Sequence, residues 1–118
     1  MSKIYEFKFI QKESYKISKY IILSKCNNLC WLNFISENMK STVEISHKID
    51  RLCQMFDKIK IQEWNMQTFS TSIELFPSFE WKLFIKSNRI NVQCKGYNTY
   101  PSNWDMFVET LKFIGIQI

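Results

Sequence analysis

The stretch that decides the fold is residues 79–113, which read FEWKLFIKSNRINVQCKGYNTYPSNWDMFVETLKF. In its first part the apolar residues Trp81, Leu83 and Ile85 alternate with polar ones, which is the period-2 pattern of a strand with one buried face. Residues 87–89 (Ser-Asn-Arg) predict a hairpin turn, because asparagine tolerates positive φ, and the alternation resumes after them. The stretch therefore begins with two antiparallel strands.

A corner is predicted after the second strand, at residues 96–101 (Gly-Tyr-Asn-Thr-Tyr-Pro). Gly96 is one of only two glycines in the chain, so we expect either a positive φ or a close backbone approach at this position. We expect Asn98 to hold the turn by hydrogen-bonding its own backbone. Pro101 suits the first turn of a helix, where a missing N–H costs nothing.

Two helices are predicted from apolar residues that recur at helical spacing. The first covers residues 41–57 and the second covers residues 102–114. Each segment opens with a serine followed three positions later by an acidic residue, the pattern of a capping box. Gly115 is expected to end the second helix.

The first half of the chain predicts an opening strand at residues 5–9, where aromatic and charged residues alternate. Two apolar runs, residues 20–25 and 29–36, flank an asparagine pair and predict a second hairpin. Residues 11–19 are polar, and their pattern leaves a loop and a short helical turn both open.

Short strands are predicted between the two helices at residues 61–64 and 71–76, with a loop at residues 65–70. The elements together predict a single α+β domain over residues 1–118, an antiparallel sheet of about five strands with two helices packed on one face. The other face of the sheet is then less covered, so a partner could bind there.

The composition excludes several classes of protein. Apolar residues make up 46% of the chain and ten of them are phenylalanine, so the chain is expected to fold rather than stay disordered. No apolar run approaches the ~20 residues of a membrane span. Charges within the first ten residues argue against a secretion signal. We therefore expect a cytoplasmic protein with reduced cysteines.

The net charge of +5 comes from sixteen basic and eleven acidic residues. Arg51 and Arg89 are the only arginines, and the remaining basic residues are lysines. Because bidentate recognition of bases and phosphates prefers arginine, this charge supports nucleic-acid binding only weakly. A positive field toward an acidic protein or an RNA partner remains open.

Residues suited to catalysis or metal binding do not form a recognisable set. Cys26 and Cys30 have a metal-like spacing, but the other possible ligands, His47, Cys53 and Cys94, are expected on separate elements. Buried thiols are the favoured interpretation of these cysteines. The two glycines cannot build a phosphate-binding loop. We therefore expect no catalytic residues, no cofactor and no structural metal.

Residues 81–85 (WKLFI) and 96–104 (GYNTYPSNW) resemble the C-terminal half of a set of small uncharacterised proteins from low-GC Gram-positive bacteria and their phages. The shared pattern is a tryptophan-containing strand, a second strand, Gly-x-Asn-x-Tyr-Pro and a closing helix. Ile61 and Trp64 fit an Ile-x-x-Trp element before the hairpin. Small proteins of this kind are often immunity proteins or phage-borne antagonists of host defence. The resemblance implies such a role but transfers no functional residue.

Two functions follow as hypotheses. The first is a non-enzymatic protein-binding inhibitor of the immunity or phage anti-defence (anti-CRISPR-like) type, which occludes a bacterial target protein. The alternative is a small basic nucleic-acid-binding protein that uses lysines and exposed aromatic rings.

The residues predicted to bind the partner centre on Phe84, which interrupts the alternation of its strand. Lys82 and Lys86 flank it, and an aromatic ring among lysines is typical of a protein-binding surface with a steering charge. Tyr97 and Tyr100 at the corner complete the predicted contact residues.

Overall fold

A computed structural model describes residues 2–74 and 76–118, which contain seven strands and two helices. The strands are β1 (Ile4–Glu13), β2 (Lys16–Cys26), β3 (Leu29–Ser36), β4 (Lys40–Glu44), β5 (Thr68–Ser70), β6 (Phe79–Ser87) and β7 (Asn91–Tyr97). The helices are α1 (Ile49–Lys58) and α2 (Trp104–Phe113), and short 3₁₀ helices flank α1 at Ser46–Lys48 and Ile61–Trp64. The predicted α+β class is confirmed.

All seven strands form one sheet in the order β4-β3-β2-β1-β6-β7-β5. Neighbouring strands are antiparallel except β5 and β7, which run parallel. The sheet is therefore mixed and larger than the predicted sheet of about five antiparallel strands. β4 and β5, which the sequence patterns miss, are the two edge strands.

Both helices pack on the same face of the sheet. The ring of Phe7 on β1 lies 6.2 Å from the ring of Phe56 on α1 and 6.4 Å from that of Phe107 on α2. The opposite face has no helix over it within the described part of the chain. No helix among these residues is long and apolar enough to cross a membrane.

The core beneath the helices is aromatic, and its centre is Trp104 at the start of α2. The centre of the Trp104 ring lies 4.5 Å from Tyr100, 4.9 Å from Phe107 and 5.1 Å from Trp81. Offset and tilted rings at these separations are the favoured arrangements of aromatic pairs. Trp104 therefore joins the corner, the second helix and β6 in one cluster.

Two buried indole N–H groups are satisfied by Thr99 of the corner and by Asn103, the N-cap of α2. Trp81 Nε1 donates to the carbonyl of Thr99 at 2.8 Å, and Trp64 Nε1 donates to Asn103 Oδ1 at 3.1 Å. The Asn103 amide donates in turn to the carbonyl of Ile59 at 2.9 Å. These bonds tie the corner to the 3₁₀ helix and to the end of α1.

Position 96 requires glycine because the Trp81 side chain leaves no room for a Cβ atom, and not because the backbone there has a positive φ. A Cβ atom added there would lie 2.7 Å from Cζ2 of Trp81, whereas the glycine with positive φ (93°) is Gly115, which ends α2 as predicted. The predicted close approach at Gly96 is thus the alternative that occurs. Asn98 has a φ of 57° and makes two hydrogen bonds with Phe79. The Asn98 N–H donates to the Phe79 carbonyl at 2.9 Å, and the Phe79 N–H donates to Asn98 Oδ1 at 2.8 Å. The predicted bond of Asn98 to its own backbone is wrong.

The predicted helix over residues 41–57 is wrong in its first part, which is strand β4. Val43 pairs with Leu32 of β3, because β-branched residues suit a free sheet edge. The helix begins only at Ile49, and its N-cap, Lys48, makes no side-chain cap bond. The predicted capping box is therefore absent.

The second predicted helix, residues 102–114, is confirmed as α2 with slightly shorter bounds. Its predicted capping by Ser102 and Asp105 is wrong, since the N-cap is Asn103 and no side-chain cap bond forms. The side chain of Asn103 is already bonded to Trp64 and Ile59.

The segments between these elements also differ from the prediction. Residues 11–19, which the sequence left open, form the end of β1, a tight turn and the start of β2. The predicted strand at residues 61–64 is a 3₁₀ helix, because Lys60 adopts a left-handed conformation (φ 57°) that ends α1. β5 occupies part of the predicted loop at residues 65–70, and residues 71–74 and 76 form no strand, while Leu75 lies outside the described residues.

Candidate functional site

The face of the sheet that the helices leave uncovered, which we call the open face, is the candidate site. The register fixes its members: Lys8 of β1 lies opposite Ile22 of β2 and Phe84 of β6, and opposed residues of antiparallel strands point to the same side. Its central residues are Lys8, Ile10 and Lys12 of β1, Tyr20 and Ile22 of β2, Trp31, Asn33 and Ile35 of β3, Lys82, Phe84 and Lys86 of β6, and Gln93 and Lys95 of β7.

An apolar strip crosses the middle of the open face from β3 to β6. It consists of Ile10, Tyr20, Ile22, Ile35 and Phe84. Tyr20 lies directly opposite both Ile10 and Ile35, whereas Ile22 and Phe84 lie on either side of Lys8. Ile35 is 37% exposed and the other four are half-buried. The strip is therefore accessible along its length, and Ile10 and Phe84 line one depression of this face.

Phe84 stands between two shallow depressions of the open face. One has a volume of about 370 Å³ and reaches past Lys95 to Thr68 on β5. The other has a volume of about 220 Å³ and lies over Ile10 and Lys12. A partner surface can thus contact the Phe84 ring from both sides.

Five lysines on β1, β6 and β7 flank the Phe84 end of the apolar strip, and two glutamates lie among them. The lysines are Lys8, Lys12, Lys82, Lys86 and Lys95, and the glutamates are Glu6 and Glu80. The ion pairs within residues 2–74 and 76–118 join Arg89 to Asp57 and Lys112 to Glu109, at 3.1 and 3.2 Å. The five lysines therefore have no ion-pair partner in that part of the chain, and their charges are available to a ligand.

Four of the five predicted contact residues come together on the open face. Phe84, Lys82 and Lys86 are neighbours on β6, with the lysines exposed at either side of the ring. Tyr97 ends β7 opposite Glu80 and is 41% exposed, so it lies at one end of the same face.

Tyr100 is not part of this group, because the structure places it on the helix-covered side of the sheet. Its ring stacks on Trp104 at 4.5 Å, and its hydroxyl donates to Gln11 Oε1 at 2.7 Å. Burial raises the pKa of the Tyr100 hydroxyl. The packing of this side chain indicates a structural role.

Sequence reasoning missed the part of the site contributed by β1, β2 and β3. Trp31, Tyr20 and Ile35 lie on the open face although the patterns assigned no site residue there. One signal was present: residues 20–23 are four consecutive apolar residues, which indicates a strand with apolar side chains on both faces.

The cysteines and the histidine form no metal-binding cluster within the described residues. A depression of about 710 Å³ beside the β2–β3 turn is lined by Cys26 and His47 among others, yet the described residues contain no cluster able to hold a metal ion. Burial raises the pKa of Cys94 to about 12 and also raises that of Cys53. These two thiols therefore stay protonated at neutral pH.

No protein-family model, curated protein or solved structure matches this chain. The open face itself therefore carries the functional interpretation. Its geometry provides an apolar strip, the Phe84 ring between two depressions, and lysines that have no ion-pair partner among the described residues.

Proposed function

We propose that this protein binds another protein through the open face and acts as a non-enzymatic inhibitor that occludes its target. The observation that carries the proposal is the apolar strip, flanked at its Phe84 end by five lysines that have no ion-pair partner among the described residues. An apolar centre with a charged rim is the usual anatomy of a protein–protein interface. The Phe84 ring is the central anchor.

The size of the open face supports a specific interface. The five longer strands, β1, β2, β3, β6 and β7, are spaced about 4.8 Å apart and rise about 3.3 Å per residue, so seven residues of each make a face roughly 24 Å by 23 Å. The shorter strands β4 and β5 extend this face at its two edges. Stable complexes bury about 800 Å² on each partner. Side-chain relief and the strand ends bring the face to that order of area.

The charge of the open face selects an acidic partner surface. The five lysines outnumber Glu6 and Glu80, and the whole chain carries a net charge of +5. Complementary charges speed association and fix orientation. Two copies of the chain placed face to face would oppose like charges, so a second copy is disfavoured as the occupant.

A protein fits the open face better than a nucleic acid does. Ile10, Ile22 and Ile35 interrupt the aromatic residues and offer no ring on which a base can stack. Both arginines lie elsewhere: Arg51 is on α1, and Arg89 pairs with Asp57. Bidentate phosphate or base recognition by arginine is therefore not available on this face.

The resemblance of residues 81–104 to small proteins of low-GC Gram-positive bacteria and their phages supports a bacterial target. We propose a toxin or a defence factor in the bacterial cytoplasm, blocked by the immunity or anti-defence mode of action. Steric occlusion needs no catalytic group or cofactor, so the uncovered sheet face is sufficient for this mode.

Capture from a nuclease-treated lysate of a low-GC Gram-positive bacterium tests the proposal. Phe84→Ala is expected to weaken retention of an acidic protein by roughly 5- to 150-fold, because it removes the central anchor. Phe113→Ala is the matched control, since Phe113 is a 43% exposed ring on the helix side and should retain the protein like wild type. Circular dichroism verifies the fold of both variants.

Equal retention by the Phe84→Ala and wild-type chains would show that the open face is not the contact. Recovery of RNA or DNA alone from an untreated lysate, with affinity that falls steeply as salt rises, would establish the nucleic-acid function instead.

A further inference from the structure

One end of the sheet carries two aromatic residues that are almost fully exposed. Tyr15, in the β1–β2 turn, is 95% exposed, and Phe76, in the segment before β6, is 101% exposed. The two segments are joined by a hydrogen bond from the Ser14 N–H to the Ser78 carbonyl at 3.1 Å. We call Tyr15 and Phe76 the aromatic tip.

The backbone at Tyr15 is unfavourable for a tyrosine. Ser14 and Tyr15 have φ values of 49° and 70°, and a two-residue hairpin turn with two positive φ values prefers Asn-Gly. The turn at the other end of β2 also has two positive φ values, 50° and 66°, and there asparagines, Asn27 and Asn28, occupy both positions. The geometry of the turn therefore does not explain why a tyrosine occupies this position. A binding contact made by its ring does explain it.

The charges around the aromatic tip are balanced. In the same two segments, Lys12 and Lys16 carry two positive charges and Glu13 and Glu74 carry two negative charges. Anionic lipid surfaces and nucleic acids attract an excess of positive charge, which this end lacks. A protein surface is therefore the favoured contact.

The aromatic tip is continuous with the open face. A depression of about 260 Å³ is lined by Tyr15 on one side and by Lys12, Glu80 and Tyr97 of the open face on the other. One partner can thus cover both surfaces.

We propose that the aromatic tip is a second anchor, in which Tyr15 inserts into an apolar pocket of the protein that covers the open face. The inference rests on the proposed function, because it assigns both surfaces to one partner. A protruding ring requires a concave receptor, and buried tyrosines are among the residues that dominate binding energy at interfaces. The partner is therefore a protein with an apolar pocket beside an acidic surface.

Site-specific photo-crosslinking in the bacterial lysate tests the inference. The photoreactive amino acid p-benzoylphenylalanine replaces Tyr15, Gln93 on the open face, or Met106, which is 46% exposed on α2. We expect positions 15 and 93 to crosslink the same protein and position 106 to give none. Excess unlabelled wild-type protein should suppress the adduct at position 15.

Competition by unlabelled Tyr15→Gly protein separates binding from folding. Glycine accepts the positive φ, so this variant should melt at the same temperature as wild type or a few degrees higher (about 3 °C). It should nevertheless need about tenfold more protein to suppress the adduct. Competition equal to wild type would overturn the inference.

The crosslinking outcomes distinguish this inference from the proposed function. An adduct at position 93 without one at position 15 overturns the inference alone, as does an adduct at position 106 as strong as that at position 15. An adduct at position 15 without one at position 93 overturns the open-face proposal, and with it the assignment of both surfaces to one partner. Failure at both positions, or adducts with nucleic acid or lipid only, overturns both.

Discussion

Replacement of Trp104 by alanine is expected to lower the free energy of unfolding by about 3–5 kcal/mol. Trp104 is 8% exposed, and the centre of its ring lies 4.5 Å from that of Tyr100 and 5.1 Å from that of Trp81. Removal of the ring therefore leaves a cavity that the rigid neighbouring rings cannot fill. The loss is a large part of the 5–15 kcal/mol that typically separates folded from unfolded domains.

Trp31 is the matched control, because it is a tryptophan on a strand but is only half-buried on the open face. Trp31→Ala should cost less, about 1–2 kcal/mol, since part of the ring is already exposed to water. Urea unfolding followed by far-ultraviolet circular dichroism measures both variants. Equal destabilisation by the two substitutions would contradict the assignment of the core to the helix-covered side.

Gly96→Val is expected to lower the free energy of unfolding by about 3 kcal/mol, because the added atoms overpack the core. The new Cβ would overlap the indole of Trp81, which cannot move away: Phe69 stacks on it at 6.0 Å, and its Nε1 is bonded to Thr99. Lys95→Ala, an exposed neighbour on β7, should change stability by less than about 0.5 kcal/mol.

A double variant tests whether Trp81 is the cause of this effect. Phenylalanine at position 81 lacks the indole atoms that meet the new Cβ, so Trp81→Phe should recover part of the stability lost by Gly96→Val. Simple addition of the two single losses in thermal or urea unfolding would show that the cost has another origin.

The C-terminal half of the fold is readable from the sequence because its signals are local. The alternation around Trp81 and Leu83 defines β6, and helical spacing defines α2. For Gly96 the sequence left two alternatives open, a positive φ and a close approach to the backbone. Which of them occurs depends on where the Trp81 ring lies. That position is set by tertiary packing.

The two edge strands, β4 and β5, were harder to predict because their local signals were misleading or too short. The serine and glutamate at residues 41 and 44 match a helix cap, but pairing of Val43 with Leu32 on a free edge outweighs it. β5 has three residues, too few for a periodic signal, and forms because Phe69 packs against Trp81. In both strands, tertiary contacts outweigh the secondary-structure propensity of the local sequence.

The candidate site was predicted in part, for the same physical reason. Phe84 breaks the alternation of its own strand, so the sequence alone marks it. Ile10 and Tyr20 join Phe84 only through the register of β2, β1 and β6, which no single strand encodes. Tyr100 shows the reverse, because it is buried by Trp104, four residues further on, and by Gln11, which is distant in sequence.

Residue-level lysine modification tests most directly the central claim that the open face binds an acidic protein. The free protein and its complex with the captured partner are acetylated briefly, and mass spectrometry reports modification at each lysine. Lys82, Lys86 and Lys95 are exposed on the open face, while Lys58 and Lys112 are exposed on the two helices and serve as internal controls.

Binding at the open face predicts that Lys82, Lys86 and Lys95 lose most of their reactivity in the complex while Lys58 and Lys112 keep theirs. Protection of Lys58 and Lys112, with the open-face lysines still modified as in the free protein, would contradict the account.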